Sequence, residues 1–160
     1  MTNERVAVNE SGQALTIKHT MLYPKKVKHR KWQRGRKSLA RRQSSVATRG
    51  VTLAFGSCGI KAITPARIRS NQIEAARRVI SRKMGKNGRI WIRVFPDRPF
   101  TSKPAEVGMG KGKGDLQGYQ FEVLPGHILF EVDGVEEAVA REALRKAAAK
   151  LPLTAKVIAR

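Results

Sequence analysis

The sequence predicts an α+β fold: a mainly antiparallel sheet, two principal helices and a basic N-terminal arm. Three observations carry that expectation. Strand-like runs come in pairs with only two helical stripes among them, regular strand–helix–strand alternation is missing, and the segment ahead of them is cationic without apolar periodicity. At 160 residues the chain is long enough for one domain with a core. Aromatics make up only 6% of it, so that core must rest on Ile, Val, Leu and Ala. The expected organisation is a polar N-terminal extension over residues 1–20, a basic arm over 21–49 and a single α+β domain over 50–160. No fixed-period internal repeat is present.

The arm contains no acidic residue from position 18 to position 49, and residues 25–37 are mostly Lys and Arg. Like charges repel, so alone it is expected to be extended or disordered, with order beginning near Val51. Val51-Thr52-Leu53-Ala54-Phe55 alternates like a half-buried strand, Gly56-Ser57-Cys58-Gly59 reads as a turn, and Ile60-Lys61-Ala62-Ile63 as a second strand pairing with the first. A helix opens near Ser70 or Asn71, where Asn71 and Glu74 have capping-box spacing. Ile73, Ala76, Ile80 and Met84 recur as one apolar stripe, with Arg77, Arg78, Arg82 and Lys86 largely off it, and Gly88 is placed to end the helix.

Residues 89–95 alternate with period two. Ile90, Ile92 and Val94 fall on one face, and Arg89, Trp91, Arg93 and Phe95 on the other. A long loop rich in Gly, Lys and Pro is expected over 98–118, and a loop of that length is usually functional or disordered. Residues 119–124 and 127–132 read as a hairpin around Pro125-Gly126. Asp133 and Glu136, again at capping-box spacing, introduce a helix through Lys150 that turns Val135, Val139, Ala143, Ala147 and Leu151 inward. Pro152 stops it, and Lys156-Val157-Ile158-Ala159 supplies a last strand.

Charge narrows the function. Thirty-three Lys and Arg against twelve Asp and Glu give a net charge of +21, and the pI is near 11.3. Such a chain draws polyanions, nucleic acid first and an acidic membrane surface second. No stretch approaches the ~20 apolar residues that span a bilayer. Glu4, Asn9, Glu10 and Gln13 interrupt any signal-peptide apolar region, so membrane association is disfavoured. Tyr23 and Trp32, set among the arm's cations, suit stacking on exposed bases beside phosphate contact, although two aromatics are also compatible with a solvated tail.

Chemistry finds little support. Gly108-Met109-Gly110-Lys111-Gly112-Lys113-Gly114 suggests a nucleotide loop, but Gly114 and Asp115 follow Lys113 where a P-loop needs Ser or Thr opening a helix. What remains is backbone able to approach a phosphate closely with Lys charge beside it, or simply a flexible loop. Cys58 stands alone, which leaves no intramolecular disulfide and fits a reducing compartment. It reads as a small buried thiol sooner than as a nucleophile. His19, His29 and His127 are scattered and give no zinc spacing. No acid–base pair is recognisable. The sequence therefore assigns no catalytic residue, no metal and no cofactor.

Several segments in register carry a resemblance: Gln72-Ile73-Glu74-Ala75-Ala76-Arg77-Arg78, residues 89–97, Lys103-Pro104, Met109-Gly110-Lys111-Gly112-Lys113-Gly114, Pro125-Gly126, Asp133-Gly134-Val135 and residues 147–152. From Met21 to about Arg160 the chain resembles the large-subunit ribosomal protein family L-sixteen (the universal L-sixteen/L-ten-e family). That resemblance implies a hammerhead-like α+β fold and a structural, non-enzymatic place in the large subunit of a cytoplasmic ribosome. It implies large-subunit ribosomal RNA, neighbouring ribosomal proteins and tRNA at the aminoacyl and peptidyl sites as partners. Candidate RNA-binding residues are Lys25, Lys26, Lys28, Arg30, Lys31, Trp32, Arg34, Arg36 and Lys37 in the arm. Arg77, Arg78, Arg89, Arg93, Lys103, Lys111 and Lys113 join them from the domain, with Lys111 and Lys113 reaching toward the functional centre. Gly108 stands where the family often has Arg, so no role of that Arg carries over. Cys58 stands where an aromatic is common. Two other classes remain open at this stage: a non-ribosomal RNA-binding or assembly protein, and a Cys58-dependent hydrolase.

Overall fold

The computed structural model describes Ala7–Val8, Ala14–Leu15, residues 22–33 and residues 38–160. It shows an α+β architecture in which every strand pair is antiparallel. The strands are β1 (Ala7–Val8), β2 (Ala14–Leu15), β3 (Cys58–Ala62), β4 (Ala66–Arg69), β5 (Arg89–Ile92), β6 (Arg98–Ser102), β7 (Asp115–Val123), β8 (Ile128–Asp133) and β9 (Ala155–Ala159). The helices are α1 (Leu39–Ser44), α2 (Ser70–Met84) and α3 (Glu137–Ala148). β1 pairs with β2. The larger sheets run β5-β8-β3-β9 and β4-β7-β6.

The core follows the apolar patterns. On α2, Ile73, Ala76, Ile80 and Met84 are all buried, as their spacing predicts. On the four-stranded sheet the register places Ile90, Val132 and Cys58 in one row and Ile92, Phe130 and Ile60 in the next. These side chains and the two long helices share one hydrophobic cluster. On α3 the buried set is Ala140, Ala143, Leu144 and Ala147, so the inward stripe is rotated from the predicted one and Val139 is only half-buried.

Several local expectations are corrected. Residues 51–55 form no strand, and Cys58 and Gly59 belong to β3, whose partners are β8 and β9. The 51–57 segment crosses the outer face of β8 instead, and three of its amides donate to Glu131. α2 ends at Met84 because Gly85, at φ 69°, supplies the left-handed cap three residues before Gly88; its N–H donates to Ser81 O at 3.1 Å. At its start, the Gln72 side chain accepts from the Arg69 N–H at 2.9 Å, while Glu74 pairs with arginines. α3 begins at Glu137, not Asp133, because Asp133 is held in β8 opposite Arg89.

The 98–118 loop is also shorter than predicted: β6 and β7 pair at both its ends and leave 103–114 between them. Residues 119–124 and 127–132 are not a hairpin. β7 already lies between β4 and β6, and β8 between β5 and β3, so neither has a free edge for the other. The turn at Pro125-Gly126 therefore hands the chain from one sheet to the next, tied by the Gly126 N–H donating to Ala62 O at 2.7 Å.

The basic segment is more structured than its charge pattern indicates. Leu22 packs against the core, and the Tyr23 ring meets Tyr119 edge-on with centroids 5.9 Å apart. Ser38 caps α1 by accepting from the Arg41 N–H at 3.2 Å. Ala47 is buried and its N–H donates to Pro125 O at 2.9 Å. Hydrogen exchange should accordingly show Ala47 protected while the Lys25, Lys26 and Lys28 amides exchange quickly; equal rates at all four would contradict this placement.

Candidate nucleic-acid interface

The candidate interface lies where the arm meets the loop between β6 and β7. Lys31 Nζ lies 3.4 Å from Lys113 O and 3.3 Å from an Asp115 carboxylate oxygen, and Lys113 Nζ donates to Trp32 O. Two segments more than eighty positions apart in sequence are thereby joined. In the loop, Gly110 (φ 90°), Lys111 (φ 52°) and Gly112 (φ 83°) occupy the left-handed region in succession. Two glycines adopt it without strain, and Lys111 between them is exposed with its backbone folded to match. Lys103 Nζ donates to Gly110 O, so its ammonium braces the loop from inside.

The predicted cations among the described residues divide into three groups. Lys25, Lys26, Lys28, Arg30, Arg89 and Lys111 are exposed, and Arg78 is exposed while also reaching Glu74 at 3.1 Å. Lys31 and Lys113 brace the arm–loop junction, Lys103 braces the loop itself, and Trp32 at the junction is 42% exposed. Arg34, Arg36 and Lys37 lie outside the described residues. Arg77 and Arg93 have carboxylate partners within the protein, the first bound through two nitrogens to Glu74 and the second paired with Glu131.

Glu131 explains why Arg93 is held. Its carboxylate is fully buried and accepts from the amides of Ala54, Phe55 and Gly56 at 3.1, 2.7 and 2.9 Å. Gly56 must be glycine for this approach, since a Cβ there would stand 2.5 Å from Val132 O. Burial by itself would raise the Glu131 pKa, but the three amides and the Arg93 charge outweigh it and hold the group below the usual carboxylate range. Arg93 also lies 5.0 Å above the Phe55 ring, which stacks on Trp91 at 6.0 Å.

Glu74, on α2, is a second acid whose pKa the fold lowers. Hydrogen bonds from the Arg77 side chain lead in lowering its pKa from 4.5 to about 2, against the opposing effect of burial. A group whose pKa is depressed by folding stabilises the fold above its unfolded value and loses that contribution as pH falls through its folded value. The α2 cluster should therefore weaken between pH 4.5 and about 2. In Glu74→Gln the acid-induced loss across that window should shrink; an unchanged acid melting curve would contradict the assignment.

Sequence reasoning missed a second basic surface, on the open face of the three-stranded sheet. Register sets Arg69, Gln120 and Arg98 side by side, with Arg67 opposite Glu122 and Phe100 opposite Gly118. Arg67 and Arg98 both bind Glu122, the former at 3.3 Å. The Arg69 guanidinium sits 4.6 Å from the Phe100 ring centre. The available signal was the alternation Arg67-x-Arg69 and Arg98-x-Phe100, which puts each pair on one strand face. The remaining candidate chemistry recedes: Cys58 is only 2% exposed, against the core. Among the described residues no cluster of His, Cys, Asp and Glu is arranged to hold a metal, and no helix is long and apolar enough to cross a membrane.

The chain is 51% identical over 140 residues to the large ribosomal subunit protein uL16 of Psychrobacter cryohalolentis, covering 88% of this chain and 98% of that protein. It is 54% identical to the proteins of the same name from Verminephrobacter eiseniae and Albidiferax ferrireducens, covering 88% of this chain and 97% of each. Residues 24–158 match the family described as ribosomal protein L16p/L10e, and the chain belongs to that family.

Proposed function

We propose that the chain is a structural constituent of the large subunit of a cytoplasmic ribosome, bound to large-subunit ribosomal RNA and neighbouring ribosomal proteins. In this reading the arm over 21–49 and the loop over 103–114 form one RNA-binding surface on the 50–160 domain. Lys25, Lys26, Lys28 and Arg30 contact phosphates there, with Arg78 and Arg89 adding charge from the domain. Lys111 and Lys113 reach tRNA at the aminoacyl and peptidyl sites. The observation that carries the reading is the junction of arm and loop, because it gathers cations from distant parts of the chain onto one exposed surface. Relatives named as large-subunit proteins support the ribosomal setting over a free RNA-binding module.

The loop gives the most specific test. Lys111→Ala with Lys113→Ala removes exposed charge, one exposed hydrogen bond to Trp32 O and little packing, so stability should change by no more than about 0.5 kcal/mol per site. Binding of tRNA to subunits containing the variant should fall, since a lost phosphate contact has no replacement. A thermal melt paired with tRNA binding decides between roles. Normal tRNA binding beside a large drop in Tm would make the loop a clamp on the arm instead.

A further inference from the structure

We propose that the open face of the β4-β7-β6 sheet holds a pocket for one unstacked RNA nucleotide, with its base on Trp32 and Phe100 and its phosphate on the arginines beside them. Trp32, Arg67, Arg69, Arg98, Phe100 and Lys113 line an open cavity of about 290 Å³. That volume lies just below the roughly 300–1,000 Å³ typical of small-ligand sites, the scale of a single nucleotide. Against three arginines and a lysine the face sets one carboxylate, Glu122, so the cavity stays cationic while Glu122 fixes the directions of Arg67 and Arg98. Arg67 Nε is buried without a hydrogen-bond partner, a donor that an incoming oxygen would satisfy. Phe100 opposes Gly118, where a Cβ would come within 3.0 Å of the ring, so the bare backbone there leaves the aromatic its place on the sheet.

The combination selects single-stranded RNA. Bases in a duplex are stacked and paired and do not enter a concave site, whereas a bulged or looped base can lie on an aromatic ring while its phosphate meets guanidinium groups. Gln120, also on the cavity wall, offers an amide to the base edge. This inference rests on the RNA-binding reading above but adds to it a preference for unpaired nucleotides and the residues responsible.

The test uses the full chain carrying Trp91→Phe, which leaves Trp32 as the sole indole. A single-stranded ribo-oligonucleotide and an RNA duplex of equal length are titrated against it. The single strand should change Trp32 fluorescence and the duplex should not. Base–aromatic stacking contributes about 1–3 kcal/mol per base, so Phe100→Ala should weaken single-strand binding about 5- to 160-fold and leave duplex binding within about twofold. Trp32→Leu, at a half-exposed site of the arm, should do the same and keeps the test decisive if Phe100→Ala unfolds. Equal losses for strand and duplex, or no loss for either, would overturn the pocket while leaving phosphate binding intact. Failure of the unsubstituted chain to bind either RNA would overturn the RNA-binding reading itself.

Discussion

Glu131→Ala is expected to cost the fold about 3–5 kcal/mol, the range seen when one partner of a buried ion pair is removed and the other is left. Four groups lose their acceptor together: the amides of Ala54, Phe55 and Gly56, and the Arg93 guanidinium. The amides belong to a segment that has no strand partner, so the carboxylate is a main fastening of residues 51–57 to β8, beside the Ser57 hydroxyl donating to Val132 O at 3.4 Å and Ser57 O accepting from the Arg160 N–H at 2.8 Å. Glu131→Gln keeps a carbonyl oxygen for the amides but removes the charge opposite Arg93, and should fall between wild type and Glu131→Ala. Urea unfolding of the three proteins checks the order. A Glu131→Ala midpoint equal to wild type would show that the segment is held without the carboxylate, by the Ser57 hydrogen bonds and by packing such as Leu53 against Gly59. Since domains of this size are typically stable by only ~5–15 kcal/mol, the loss should be plain in any unfolding assay.

Neutralising the arm should have the largest effect on binding. Phosphate contact releases condensed counterions, so affinity falls by about 0.9 log unit per log unit of salt for each contact on duplex DNA, taken here as a guide for RNA. If six to ten such contacts form, affinity for a ribosomal RNA fragment should drop about 10³–10⁵-fold between roughly 50 and 200 mM salt. Replacing Lys25, Lys26, Lys28 and Arg30 together by Ala should weaken binding steeply at low salt and reduce the slope by about 3–4. Their side chains are exposed, so the melting curve should hardly move. A slope that is unchanged in the fourfold variant would place the phosphate contacts elsewhere on the protein.

What the sequence revealed depended on how local the determining contacts are. The stripe of α2 and the core-facing pair Ile90 and Ile92 of β5 are set by residues within a few turns or pleats of one another, and both were legible, although β5 ends at Ile92 and not at Phe95. The apparent hairpin at Pro125-Gly126 was not, because a turn signal says that the chain bends and not which strands it will join. Residues 51–55 do alternate, with Val51 and Leu53 half-buried, but three successive amides from 54 to 56 go to a carboxylate at least 75 positions away. The loop expected over 98–118 begins instead with β6, and Pro99 fits there because β6 is an edge strand, where proline is tolerated. The candidate interface divides in the same way. Arm and loop cations are visible as runs, whereas Arg67, Arg98 and Phe100 share a surface only because β7 pairs with both β4 and β6.

The central claim, that this chain is a resident component of the large ribosomal subunit, is tested most directly by sedimentation. Cell extract containing the tagged protein is washed at elevated salt and resolved on a sucrose gradient, and the protein is followed across the fractions. The account predicts that it travels with large subunits and with whole ribosomes and is missing from free small subunits. Recovery only at the top of the gradient, or only with immature particles, would contradict it and favour a free RNA-binding or assembly protein.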